Sequence, residues 1–372
     1  MIYNAGLATI DSYKKFSNYI IYNYESVYYA YWKLCRNGCI LCVLDKNNNF
    51  EGIITKGDIE RTFLNSDLTL MDICNTNPSK IISEGNIEND YMQAKGIFSE
   101  RNNVMHIPVI DEDNKLVDIF SKQRIYWKKS FDMGELPRME YATAIYYAAL
   151  EAKELNYKAV SVIEFGVASG NGLLACEFHA AEISRILNID ISVYGFDSGK
   201  GLLSENMGYK DMMHIWPNGS YKMDFTELKN RIKNACLIIG NIENTVEEFL
   251  NIKPDPIGCV LVDVDRYSAT IPILRMFDRE DSLFLPRIYM YFDDISYQYE
   301  YSGESLAIKE FNQQHNKMKI SPEGISNDNL WYLRKLKLLH RFCHPLYNNL
   351  QREYEWRELL EKDYEISLFD II

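Results

Sequence analysis

The chain has 372 residues, 47% of them hydrophobic, and a formal net charge of -13. That length supports two hydrophobic cores, and the acidic balance works against a protein that holds nucleic acid through its phosphates, which needs clustered Lys and Arg. No apolar run nears the roughly 18 residues of a membrane span, and the first residues lack the basic flank and apolar block of a signal peptide, so we expect a cytoplasmic protein. The eight cysteines are scattered and read as reduced thiols rather than a disulfide framework. The tightest group, Cys35, Cys39 and Cys42, has no nearby His and straddles a helix-to-strand junction, which favours burial over a zinc site.

The first third carries one pattern twice. "SVYYAYWKLCRNG", "CILCVLD", "KNNNF" and "EGIITKGDIERTF" predict helix, strand, hairpin turn, strand and helix, and "ENDYMQAKGIFSERN" with "VMHIPVIDEDNKLVDIFSKQRI" repeats it. Asp45 to Asn49 and Asp111 to Asn114 supply turn residues that tolerate left-handed backbone. His106 falls on a strand of the second copy. The pattern resembles a tandem cystathionine-beta-synthase (CBS) pair over about Ser17 to Lys128. That resemblance implies an adenine-nucleotide site at a Thr/Ser-x-x-Asp signature, matched by Thr55 and Asp58 in "GIITKGDI"; in the second copy Ser121 is followed by Arg124 where Asp would stand. An Asp can accept from both ribose hydroxyls and an Arg cannot. The competing reading makes the module a dimerising scaffold in which Thr55 caps the next helix.

"KKSFDMGELPRME" separates two periodic regions, so we divide the chain into 1–129, 130–325 and a helical extension, 326–372, packed on the second part. Beyond this segment helices alternate with strands near Ser161 to Phe165, Ile191 to Phe196, Cys236 to Ile239, Cys259 to Val262 and Arg287 to Phe292. The fold class is therefore α/β, a Rossmann-like parallel sheet covered on both faces, preceded by the α+β pair. Ligands of such sheets lie beyond the carboxyl ends of the strands. These ends carry Glu164, Gly166 and Gly170, then Asp197, "GNIENT", Asp263 with Asp265, and Asp293 with Asp294.

The glycines in "IEFGVASGNG" fall as G-x-x-x-G-x-G, unlike a dinucleotide fingerprint, and an acid stands two residues before the first. Glu164 would repel a pyrophosphate but suits a cation such as the ammonium of S-adenosylmethionine (SAM). Asp197 would then take the ribose hydroxyls, with the glycines allowing close backbone approach.

Together "IEFGVASGNG", "YGFDSGKGL", "IIGNIENTVEEFL", "LVDVDRYSATIPIL" and "YFDDI" resemble the macrocin and mycinamicin sugar O-methyltransferases over about Tyr141 to Ser321. The resemblance implies a SAM- and magnesium-dependent class I methyltransferase acting on a sugar or nucleotide-linked sugar. It further implies a SAM pocket of Glu164, Gly166, Gly170, Asp197, Ser198, Gly240, Asn241 and Ile242, and Asp263, Asp293 and Asp294 as metal ligands. Gly199 and Lys200 depart from the family's bulkier, acidic pair. Asp265 competes with Asp263 as ligand or base, and Asp293 with Asp294 could instead cap the following helix.

His214, in "YKDMMHIWPNGSYK", stands where a substrate lid would sit and is the candidate base, with Asp263 as the other catalytic residue; His179 reads as structural. "LWYLRKLKLLHRF" spaces Leu330, Leu333, Leu336 and Leu339 at near-helical intervals and predicts a basic C-terminal helix. We expect a homodimeric enzyme with a small sugar acceptor and an adenine nucleotide at the CBS module. The other class of reading is a non-catalytic nucleotide sensor whose methyltransferase-like half no longer turns over.

Overall fold

A computed structural model describes residues 19–37, 40–62, 68–203, 208–295, 299–322 and 335–350. Contacts divide the chain into two compact units, Met1–Leu136 and Pro137–Ile372. The division falls after the expected linker start because Trp127, fully buried and stacked on Phe131, keeps the short helix Trp127–Asp132 with the first unit.

The first unit contains the two predicted copies. In one, strand β1 (Ile20–Tyr22) leads to helix α1 (Val27–Asn37), β2 (Ile40–Leu44), β3 (Phe50–Thr55) and α2 (Lys56–Glu60). After a short helix α3 (Leu70–Ile73), the other copy runs β4 (Ile81–Ile82), α4 (Ile87–Glu100), β5 (His106–Ile110), β6 (Leu116–Ser121) and α5 (Lys122–Ile125). Each sheet has three strands, a parallel pair followed by an antiparallel hairpin. The opening strand of each copy escaped the sequence reading because two or three residues carry no period. The hairpins turn where expected: Asn48 and Asn114 adopt φ of 62° and 61°, and Asp45 and Asp111 accept from backbone amides across each turn. The turns also join the copies, with Phe50 N donating to Asn114 O at 2.9 Å.

In the second unit, helix α6 (Met139–Glu154) precedes β7 (Ala159–Phe165), α7 (Asn171–Leu187), β8 (Asp190–Asp197), α8 (Phe225–Arg231), β9 (Cys236–Ile239), α9 (Ile242–Asn251), β10 (Ile257–Val262), α10 (Tyr267–Arg275), β11 (Phe284–Phe292), α11 (Gly303–Gln314), β12 (Met318–Pro322) and β13 (Leu336–Arg341). The seven strands lie in the order β12-β13-β11-β10-β7-β8-β9, parallel except for β13, which runs against both neighbours. The order reverses between β7 and β10, which opens a crevice at their carboxyl ends. Both central strands are almost entirely apolar and buried, as a sheet covered on two faces requires.

The expected basic helix is corrected for its described part. Leu336–Arg341 is a strand, with Leu339 opposite Ile288 on one side and Ile320 on the other. Spacings of three among leucines in so short a run fit a helix or a strand, and pairing in the sheet decides for the strand. Its flanking cations are consumed internally: Arg341 pairs with Asp281 at 2.6 Å and Lys335 with Asp293 at 3.3 Å. Leu330, Leu333 and residues 351–372 lie outside the described residues.

Candidate active site

The strand ends of the second unit surround a cavity of about 350 Å³. Its glycine wall follows β7. Gly166 has φ 88°, and a Cβ there would stand 1.7 Å from the carbonyl oxygen of Asp263, so only glycine lets the two strand ends approach. Gly170, at φ 86°, starts α7 and shapes the turn without lining the cavity. Asp197, at the end of β8, accepts from Val167 N at 3.0 Å, Ala168 N at 2.9 Å and Gly199 N at 2.6 Å. It therefore stitches two loops together, a task beyond the ribose contact expected of it. Ser198 donates to Gly201 O at 2.7 Å, and Asn241 caps α9 by accepting from Glu243 N. Ser198, Gly240, Asn241 and Ile242 all reach the cavity wall.

Glu164 is 1% exposed; its Oε1 accepts from Tyr141 OH at 3.0 Å, and its buried Oε2 has no partner among the described residues. Burial and then the neighbouring Asp263 push its carboxyl up to about 8. Such a group is poised to receive positive charge.

Opposite stand the aspartates. Oxygens of Asp263, Asp293 and Asp294 lie within 4.8 Å of one another. Burial, followed by Asp293 and Asp294, raises Asp263 to about 7; burial, followed by Asp265, raises Asp294. Asp265, at φ 62°, also lines the cavity and shares a hydrogen bond with Asp294. Three hard oxygen donors, with a buried Asp294 Oδ2 that has no hydrogen-bond partner among the described residues, fit a cation of the magnesium type, which binds through one or two carboxylates and water. Asp293 and Asp294 do not cap α11, whose N-cap is Ser302. The backbone N of Asp294 instead donates to Glu304 at 3.2 Å.

His214, the expected base, is exposed and does not line the cavity. Its segment is anchored by other residues, with Arg266 donating to the carbonyls of Leu203 and Trp216 and Asp211 accepting from Ser268 N at 2.8 Å. His179 is fully buried, contacts Pro137 O at 2.8 Å and is lowered by burial to about 4, as a structural residue would be.

The sequence reading missed Arg138, Tyr221, Glu304 and Lys335. Arg138 and Tyr221 line the cavity, Glu304 is wholly buried behind Asp294, and Lys335 pairs with Asp293. Arg138 was hidden in a segment that reads as a linker, and Lys335 in the leucine run.

In the first unit Thr55 and Asp58 are engaged with each other. Thr55 caps α2 in a reciprocal capping box, its hydroxyl 2.6 Å from Asp58 Oδ2, while Arg61 pairs with the other oxygen. Ser121 caps α5 by accepting from Arg124 N at 3.0 Å. Arg124 pairs with Asp118 at 2.9 Å, donates to Tyr91 OH and lies 4.8 Å over the Phe120 ring.

No protein-family profile matches the chain, and no curated protein matches it by sequence. Among solved structures it is similar to CalS11, a calicheamicin methyltransferase, at 13% identity and a TM-score of 0.38, over 70% of this chain and 95% of that one. It is also similar to Listeria monocytogenes CbpB in complex with c-di-AMP, at 17% identity and a TM-score of 0.26, over 32% of this chain and 90% of that one. CBSX2 in complex with AMP gives 19% identity and a TM-score of 0.26, over 32% and 91%. The strand order is that of two three-stranded hairpin repeats followed by a Rossmann-like sheet that contains one reversed strand.

Proposed function

We propose that the second unit is a SAM-dependent O-methyltransferase that uses a divalent cation and acts on a hydroxyl of a sugar or nucleotide-linked sugar. The observation that carries this reading is the meeting, in one cavity, of the glycine turn with Glu164 and the triad Asp263, Asp293 and Asp294. When bound, SAM supplies an electrophilic methyl group and the cation a Lewis acid that lowers the pKa of a hydroxyl. Glu164 would hold positive charge at the glycine turn, and Asp197 would keep that turn in shape. Asp263, Asp293 and Asp294 would hold the cation, and the neighbouring walls would orient the acceptor oxygen toward the methyl group. The test is a mass-spectrometric screen for a methyl gain on sugars and nucleotide sugars with SAM and magnesium. Tight NAD binding with no response to SAM would remove the reading.

We also propose that the first unit binds an adenine nucleotide near Thr55 and Asp58. The capping box between those residues favours a second reading, a scaffold without ligand. Calorimetric titration of AMP and ATP separates the two.

A further inference from the structure

The aspartate edge of the cavity is backed by two donors that the proposed chemistry leaves unused. Tyr291, near the end of β11, donates from its hydroxyl to Asp293 Oδ1 at 2.6 Å. Lys335 donates to the same oxygen at 3.3 Å and also to the backbone carbonyl of Asp293. The topology explains how a lysine reaches this place. β10 and β11 end at this edge, whereas β13 runs against β11 and begins at it, with Leu336 opposite Tyr291 and Lys335 just before. Both donors are held by burial: Tyr291 is 2% and Lys335 3% exposed, and the ammonium lies 5.8 Å from the centre of the Tyr291 ring.

A carboxylate oxygen has two lone pairs, and Asp293 Oδ1 spends both on these donors. The ammonium also repels a second positive charge on that side. Oδ2 is then the oxygen left for a cation. We propose that Tyr291 and Lys335 form a clamp that confines Asp293 to one metal-facing oxygen and so biases the site toward a cation of magnesium size over calcium. This rests on the cation reading of the aspartate triad and adds to it the residues that set which cation is taken. Calcium accepts bidentate carboxylates in a larger, irregular shell, whereas magnesium takes one oxygen at each octahedral position. A carboxylate that offers a single oxygen therefore costs magnesium nothing and denies calcium a ligand.

The test is calorimetry on the full chain with magnesium chloride and calcium chloride. Tyr291→Phe removes the hydroxyl and keeps the ring that packs edge-on against Tyr141, and Lys335→Met removes the ammonium and keeps an apolar stem. Each should raise the ratio of calcium to magnesium affinity about tenfold, the scale of one charge-assisted hydrogen bond, and the double variant should raise it further. Thermal melts of the metal-free chains show which variants are folded, and a variant that keeps its melt decides where another does not. An unaltered ratio in a folded variant, or equal weakening of both cations, overturns the inference and leaves the cation reading in place. Binding of neither cation by the unaltered chain overturns both.

Discussion

Asp197 illustrates how one carboxylate can serve geometry and ligand together. Three backbone amides donate to it, so Asp197→Ala leaves them unpaired as well as removing an acceptor from the cavity. We expect the substitution to weaken S-adenosylhomocysteine binding by roughly 1 to 3 kcal/mol and to lower the melting temperature. Calorimetry and thermal melts read the two effects, and an unchanged melt with unchanged affinity would refute both roles. The aspartate triad makes a sharper prediction. A chelator, or Asp293→Ala combined with Asp294→Ala, should abolish methyl transfer while sparing S-adenosylhomocysteine binding; full activity in chelator would mean that a protein group alone activates the acceptor. These positions were legible in the sequence because parallel strands end at one edge, so residues far apart in the chain are brought together by topology alone. Arg138 was not legible, since nothing in "GELPRME" reveals that the backbone turns left-handed there and sends the side chain inward.

At the scale of elements, β13 shows where periodicity fails. Its partners lie on β11 and β12, and no local pattern announces such a pairing. Leu339 is fully buried between Ile288 and Ile320, and Leu339→Ala should cost about 2 to 5 kcal/mol, measured by chemical denaturation. A loss below about 1 kcal/mol would place the strand outside the core. On α6, Glu151 is buried against Arg287 at 2.8 Å, and desolvation outweighs the arginine to raise its carboxyl to about 7. For an acid whose folded pKa is raised, the stabilising contribution is full below the unfolded value near 4.5 and is lost as pH rises through about 7. The shift corresponds to roughly 3 kcal/mol. Glu151→Gln should therefore flatten the fall in stability between about pH 5 and 8; an unaltered pH profile would show that the pair stays charged throughout.

On the scale of the whole molecule, the two units need a thermodynamic reason to share a chain. An adenine nucleotide bound by the first unit changes events in the second only if it binds two states of the protein unequally. Arg124 stands where the first copy has Asp58 and cannot accept from a ribose, which leaves the Thr55 and Asp58 side as the candidate site. We therefore expect about one adenine nucleotide per chain in that unit, the stoichiometry the repeats allow once the second acid is replaced by Arg124. Asp58→Ala should weaken it, and because it also removes half of a capping box it should cost about 1 kcal/mol of stability. Asp58→Asn, which keeps a side-chain oxygen acceptor for the cap, separates the two effects. If the units are coupled, a saturating nucleotide should change the affinity for SAM or acceptor by roughly 5- to 150-fold, and SAM should change nucleotide affinity by the same factor. Titrating AMP and ATP into the full chain with and without S-adenosylhomocysteine measures both directions. Binding without reciprocity would leave the first unit a ligand-holding module with no hold on the enzyme, and absence of binding would leave it a scaffold.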